Sequence, residues 1–389
     1  MMRLFDDFSR TGATPRHNED EFAFLNRAAT PYWHSVRALA EEWFSRYPQD
    51  ERPELRTRFR SKLPGDHWGA WWELYLHELL LRLGYRIGLH PELPDSDKRP
   101  DFELQCGSSQ LLLEASVVFS GIDSRDDPAP RWLVEAIDDV TAPDFFVRIV
   151  EVHAGEQQLR KRQIRDQLQG WLDGLDPDQV TEEYEQGLGL PQETVTARSW
   201  DVVFEAWPVD AKARGKPDHR VFGAGPIRAG YATDIEQLKS KLKAKAGRYG
   251  RPEVPFVTAV LCVSPSIDNL DIEQSLFGRE AFRVSVDEPT QAKLVRQQNG
   301  FWMHDSGPQN QRVSAVLTAV GLAPWNVPRI TPNLWLNPWA SRAFGETWPF
   351  PRATANERGE IVRTEGDFEP FSMFGLPLDW PGDEPPPPS

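Results

Sequence analysis

The stretch HWGAWWELYLHELLLRLGY, residues 67–85, decides the fold together with RPDFEL, residues 99–104, and LLLEASVV, residues 111–118. Apolar residues recur at helical spacing in the first stretch, and Gly84 stands where glycine commonly follows the last helical turn. The other two stretches are short and apolar, and the turn signal Cys106–Ser109 separates them. We therefore expect a helix at His67–Leu83 and strands at Tyr85–His90, Pro100–Gln105 and Leu111–Phe119.

Three carboxylates in these stretches point to chemistry. Glu73 shares a helix face with Leu76 and Leu80, so we expect it to point toward the sheet. Asp101 begins one strand and Glu114 lies on the next, so an antiparallel hairpin would place their carboxylates side by side. Such oxygen ligands suit a hard divalent ion that is shared with a substrate phosphate. The alternative is that Glu114, embedded in an apolar strand, pairs with an arginine or faces a sheet edge.

The order of these features resembles the PD-(D/E)XK nuclease superfamily: an inward Glu on a helix, Pro-Asp on a strand and Glu on the next strand. The matching segments lie within residues 67–118, less than a sixth of the chain. The resemblance implies an α/β fold with a central mixed β-sheet flanked by helices, a restriction-endonuclease-like core. It implies an endonuclease that hydrolyses DNA or RNA with Mg²⁺ or Mn²⁺, as in restriction or defence. By the resemblance, Asp101 and Glu114 bind the metal and Glu73 completes or orients its shell.

One position departs from the superfamily pattern. A lysine usually stands two residues after the second-strand acid, where it stabilises the attacking hydroxide or the charge on the phosphorane. This chain has Ser116 there. Either the protein keeps the fold as a catalytically inactive module that binds nucleic acid or protein, or another element supplies the lysine.

A later helix offers a replacement lysine. The apolar face of the predicted helix Asp234–Arg248 contains Leu238 and Leu242, and the same spacing continues to Lys245 and then Tyr249. A lysine that snorkels at the end of an amphipathic helix is the ordinary explanation of Lys245, and this alternative stays open. Lys98, on the loop before the first acid, is the second candidate. The side chains predicted to contact substrate are Lys98, Arg99, Ser116, Lys241 and Lys243.

The composition limits the classes of function. A formal net charge of −15 repels nucleic acid at long range unless basic residues gather on one face. It does not exclude a nuclease, because a carboxylate metal site is itself acidic. Cys106 and Cys262 are too few for a disulfide framework or a zinc site, and no apolar run is long enough to span a membrane. We expect a cytoplasmic protein that binds nucleic acid and no membrane, although a metal-dependent hydrolase of another substrate stays open.

The length of 389 residues exceeds what one hydrophobic core usually holds, about 250 to 300 residues. The continuous apolar run Pro255–Val263 predicts a strand that is buried on both faces of the sheet. The predicted regions are an N-terminal arm and helices (1–62), the core (63–265) with an insertion around 174–198, an irregular Trp- and Pro-rich C-terminal segment that wraps the body (266–380), and a disordered proline-rich tail (381–389).

Overall fold

The structure is a computed structural model. It describes residues 2–13, 19–94, 96–119, 137, 140–153, 161–186, 188–197, 200–209, 214–215, 231–250, 252–263, 267–284, 292–356 and 359–383. The chain divides into two compact units, one formed by Met1–Ser120 with Ala232–Ser389 and the other by Gly121–Tyr231. The predicted insertion at 174–198 lies within the second unit. No helix in the described ranges is long and apolar enough to cross a membrane.

The described elements begin with four helices, after which strands and helices follow in mixed order. The helices are α1 (Glu21–Arg27), α2 (Pro31–Arg46), α3 (Arg52–Phe59), α4 (Pro64–Arg82), α5 (Lys161–Leu172), α6 (Pro177–Glu185), α7 (Tyr231–Ala246), α8 (Asn269–Phe277) and α9 (Pro370–Phe374), with a 3₁₀ turn at Val327–Arg329. The strands are β1 (Arg86–Leu89), β2 (Phe102–Cys106), β3 (Ser109–Val118), β4 (Phe145–His153), β5 (Gln192–Ala197), β6 (Trp200–Pro208), β7 (Phe256–Cys262), β8 (Glu280–Val284), β9 (Ala292–Arg296), β10 (Met303–His304), β11 (Gly307–Pro308), β12 (Ala315–Val320), β13 (Asn333–Leu336), β14 (Arg352–Ala355) and β15 (Ile361–Thr364).

The first unit is built on a mixed sheet of eight strands in the order β1-β2-β3-β7-β12-β13-β14-β15. Neighbouring pairs β1/β2 and β2/β3 are antiparallel, whereas β3/β7 and β7/β12 are parallel. Helices cover the sheet, so the expected α/β architecture with a large mixed sheet flanked by helices is confirmed.

Strand β7 lies at the centre of this sheet and is buried along its whole length. Val257 and Leu261 belong to the core that includes the residues of α2 and α4, whereas Phe256 and Val260 belong to the core that includes α7 and α8. Alternate side chains of a strand point to opposite faces, so helices pack on both sides. The prediction that Pro255–Val263 contains a strand buried on both faces is therefore confirmed.

The C-terminal segment is more regular than the sequence predicts. Strands β12 to β15 complete the main sheet, so the expected irregular structure over 266–380 is wrong in this respect. The strands β13 to β15 are only four residues long and Pro and Asn surround them, which leaves no periodicity to recognise. Aromatic residues between and after them, including Trp348, Phe350 and Phe374, are buried in the main core. Residues 384–389 of the predicted disordered tail lie outside the described residues.

The N-terminal residues also pack on the body. Leu4 and Phe5 are buried at 0% and 4% exposure, and backbone amides of both bond the carboxylate of Glu41. The polar sequence of this segment does not predict this packing, because two apolar side chains are too few to form a recognisable pattern.

The second unit has its own small core. Strands β4, β6 and β5 form an antiparallel sheet in that order, and α5 and α6 supply apolar side chains against it. Leu168 of α5 and Phe204 of β6 are both fully buried there. This unit holds none of the acids predicted to carry chemistry.

Candidate active site

The β2–β3 hairpin places Asp101 beside Glu114. Phe102 pairs with Leu113, so Asp101, the residue before β2, comes opposite Glu114. The turn between the strands contains Gly107 at a φ of 58°, a left-handed conformation that glycine adopts without strain. Asp101 Oδ2 accepts a hydrogen bond of 2.7 Å from the Ala115 amide, which ties it to the neighbouring strand. The hairpin expected from the sequence is present.

Helix α7 brings Lys245 to Glu114. Leu238 and Leu242 on the apolar face of α7 are buried at 1% and 0% exposure. The next residue on that face is Lys245, whose Nζ lies 2.5 Å from Glu114 Oε1. Glu114 is 2% exposed, so the ion pair forms in a largely dehydrated environment. The helical spacing read from the sequence therefore places the Lys245 ammonium beside Glu114.

Tyr249 is a contact of Glu114 that the sequence reasoning missed. Its hydroxyl donates to Glu114 Oε2 at 2.5 Å, and its ring is 4% exposed. Arg248 approaches the same carboxylate more loosely, with a guanidinium nitrogen 3.8 Å from Oε1. The sequence contained a sign of this contact, because Tyr249 follows Lys245 by four residues and so continues the apolar spacing of α7 just past its end.

These contacts use only some of the acceptor positions of the Glu114 carboxylate. A carboxylate offers about four acceptor positions, two on each oxygen. Lys245 uses one on Oε1 and Tyr249 uses one on Oε2. The contacts therefore fix the orientation of the carboxylate while acceptor positions remain for a cation or a water.

Glu73 occupies a different environment from the other two acids. It is 6% exposed, and both of its oxygens accept from Arg58 of α3, one of them at 2.7 Å. Helix α4 packs on the face of the sheet that carries Leu113 and Ala115. Glu114 lies between these two residues along β3 and so points to the opposite face. Among the described residues, no hydrogen bond joins Glu73 to either of the other acids.

Glu73 nevertheless influences Asp101 through its charge. Burial, followed by the negative charges of Glu114 and Glu73, raises the pKa of the Asp101 carboxyl well above its usual range. The Lys245 ammonium and the Ala115 amide oppose this rise. The three acids thus form one electrostatic cluster although they do not touch one another.

The donors at the site meet part of what a divalent ion requires. In the part of the chain that the structure describes, no three His, Cys, Asp or Glu side chains are arranged as a ready metal cluster. Asp101 and Glu114 still fit such an ion, because they are hard oxygen donors side by side. Burial and then the negative charges of Glu114 and Glu73 raise the pKa of Asp101, and a bound cation would oppose that rise. Glu73 fits less well as a direct ligand, since Arg58 engages both of its oxygens.

The remaining predicted contacts differ in position. Ser116 is buried at 7% exposure and follows Glu114 on the same face of β3. Lys98 is exposed and forms no ion pair with another described residue, whereas the exposed Arg99 pairs with a nearby glutamate. Lys241 and Lys243 are exposed along α7. The structure therefore brings Lys245, rather than Lys98, to the acids.

No known protein family, no curated protein and no solved structure matches this chain. The function is therefore inferred from the site. Two adjacent carboxylates, a lysine and a tyrosine can hold a cation, stabilise negative charge on a bound oxyanion and orient a water molecule.

Proposed function

We propose that the protein is a metal-dependent nuclease whose active site lies on the β2–β3 hairpin and α7. The observation that carries the proposal is the position of the Lys245 ammonium, 2.5 Å from Glu114 on the strand beside Asp101. A nuclease of the PD-(D/E)XK type needs a lysine near its two acids, and Ser116 cannot provide the charge. Lys245 would provide it from a different element.

We also propose a restriction-endonuclease-like core for the first unit. In its support, α4 precedes three consecutive antiparallel strands, and α7 then leads to β7, which pairs with β3 in parallel. Glu114 lies on β3, and Asp101 directly precedes β2. Helix α7, the described helix just before β7, carries the lysine.

Each residue has a definite task in the proposed reaction. Asp101 and Glu114 would hold Mg²⁺ or Mn²⁺. When bound, such an ion polarises the phosphate and lowers the pKa of water. Lys245 would stabilise negative charge on the attacking oxygen or on the phosphate. Tyr249 would hold the Glu114 carboxylate in place, and Glu73 would act through its charge on Asp101.

A second candidate is a catalytically inactive module that binds nucleic acid or protein. The contacts of Glu114 favour this inactive module, because Lys245 and Tyr249 already compensate the buried carboxylate without any metal. A net charge of −15 also disfavours general binding to nucleic acid. The two candidates differ in whether the protein cleaves nucleic acid at all.

Cleavage assays on single- and double-stranded DNA and RNA, with Mg²⁺ or Mn²⁺ and with chelator, test the proposal. The protein is expected to cleave at least one of these substrates only when metal is present, and Asp101→Ala should remove the activity. The matched control is Asp97→Ala, which changes an exposed acid on the preceding loop and should leave cleavage unchanged. Cleavage that persists in Asp101→Ala would reject the site, and no cleavage of any substrate would favour the inactive module.

A further inference from the structure

A groove of about 660 Å³ opens on the first unit near the start of two central strands. Three loops line it: the loop before β7, the loop before β12 and the loop after β13. The lining side chains that bear on ligand binding are Glu253, Gln309, Asn310, Gln311, Arg312 and Arg342.

The groove carries positive charge on an acidic chain. Neither Arg312 nor Arg342 forms an ion pair with another described residue, and Arg342 is exposed. Glu253 is the one acid among the described lining residues. The amide side chains of Gln309 and Gln311 add hydrogen-bonding groups. Two guanidinium groups against one carboxylate give the groove a local excess of positive charge, whereas the chain as a whole has a net charge of −15.

The groove is connected to the candidate active site. Arg312 donates a hydrogen bond of 3.2 Å to the carbonyl of Gly250, which directly follows Tyr249. Tyr249 in turn donates to Glu114. Across the sheet, Glu114 lies opposite Thr258, two residues into β7 from the end that borders the groove. The groove therefore adjoins the segment that carries Tyr249, a contact of Glu114.

We infer that this groove binds the sugar–phosphate backbone of the nucleic-acid strand on which the site acts, an inference that rests on the proposed function. Guanidinium groups bind phosphate through two parallel hydrogen bonds and remain charged at any physiological pH. Each phosphate contact also releases condensed counterions, so binding weakens as salt rises. Side-chain amides beside them can bond base or sugar edges without requiring one sequence.

Binding of fluorescein-labelled single-stranded DNA, duplex DNA and single-stranded RNA to the full chain in chelator tests this inference. Fluorescence anisotropy at salt concentrations from about 50 to about 200 mM gives both the affinity and its salt dependence. The variant Arg312→Ala/Arg342→Ala is expected to bind its preferred nucleic acid about tenfold more weakly or worse. Its slope of log affinity against log salt should be shallower by about 1.4 to 1.8, the value for two lost phosphate contacts.

Arg86→Ala/Arg329→Ala is the matched control, because it removes the same charge from two exposed arginines outside the groove. It should leave affinity and slope near those of the parent. Arg342→Ala alone, at an exposed position, should lower the slope by about 0.7 to 0.9 and covers the case in which Arg312→Ala unfolds the loop. Equal effects of the two double variants, or no binding of any nucleic acid by the parent, would overturn the inference. If the protein cleaves with metal but the groove variants bind and cleave like the parent, the inference about the groove is rejected and the proposed nuclease is not. If binding depends on the groove but no substrate is cleaved, the proposed nuclease activity is rejected and binding by the groove is not.

Discussion

At the scale of single residues, Glu114 has the most constrained environment in the site. Its carboxylate is almost fully buried and accepts from Lys245 on one oxygen and from Tyr249 on the other. Lys245 lies in the last turn of α7 and Tyr249 in the turn that follows the helix, so the end of one element fixes both oxygens. A carboxylate held in this way has a defined direction for its remaining acceptor positions.

The tyrosine contact leads to a prediction about metal affinity. Tyr249→Phe removes the hydroxyl that orients Glu114, and loss of such supporting contacts typically weakens metal binding about 10- to 100-fold. We expect Mn²⁺ binding by calorimetry to weaken in that range. Tyr85→Phe removes a similar hydroxyl bond of 2.6 Å, to Glu346, and should leave Mn²⁺ affinity unchanged. Equal Mn²⁺ affinity in Tyr249→Phe and the parent would show that the tyrosine does not position the ligand.

The burial of His77 leads us to expect that the folded protein loses stability in acid. It is 3% exposed, its ring packs 4.8 Å from that of Tyr47, and burial lowers the pKa of His77 to about 4. In the unfolded chain, a histidine binds a proton as the pH falls below about 6.5. In the folded protein, His77 stays neutral until about pH 4, so protons favour the unfolded state between these pH values. The free energy of unfolding should therefore fall by about 3 kcal/mol between these pH values through this group alone.

Urea unfolding as a function of pH checks this expectation. His77→Phe keeps a ring against Tyr47 but cannot be protonated. Over the same pH range, its free energy of unfolding should therefore fall by about 3 kcal/mol less than that of the parent. His34→Gln, at an exposed position on α2, is the control and should retain the pH dependence of the parent. Parallel pH curves for His77→Phe and the parent would contradict the expected role of His77.

At the scale of elements, the Arg58–Glu73 pair joins α3 to α4. Arg58 contacts both oxygens of Glu73, and the carboxylate is almost fully buried. Removing one partner of such a pair leaves a buried charge without compensation. We expect Arg58→Met and Glu73→Leu each to lower the free energy of unfolding by about 3 kcal/mol, and the double variant to lose much less than the sum.

A double-mutant cycle in urea measures this coupling. The exposed pair Arg3–Asp7, 3.5 Å apart, is the control and should show no measurable coupling. Additive losses for Arg58 and Glu73 would mean that the pair does not hold the two helices together.

The elements also show what the sequence can and cannot predict. The hairpin of β2 and β3 was predictable because its turn and its apolar strands are local signals. Lys245 was predictable because the period of a helix extends over its whole length. Glu78 shows the limit: its ion pair with Arg82 is local, but its ion pair with Arg46 joins residues 32 positions apart that no local pattern relates. The Arg58–Glu73 pair likewise joins two helices, and the four short strands at the C-terminal end of the sheet are recognised only once their neighbours are in place.

At the scale of the whole molecule, charge is distributed unevenly. The chain is acidic as a whole, but two arginines that form no ion pair with another described residue line the groove beside β7, and Lys245 pairs with Glu114 of β3. Local fields of this kind determine where an anion binds, while the total charge governs only long-range encounter. A net charge of −15 is therefore compatible with a nuclease that binds its substrate at one face of the first unit.

In the proposed nuclease, Lys245 replaces the lysine that the superfamily pattern places at the position of Ser116. The most direct measurement is the single-turnover rate of metal-dependent cleavage by Lys245→Met and by Lys62→Met, an exposed lysine just before α4. Loss of one preorganised charge-stabilising group typically slows a reaction about 10²- to 10³-fold. We predict a loss of that size for Lys245→Met and none for Lys62→Met. Equal rates for Lys245→Met and the parent would contradict the claim.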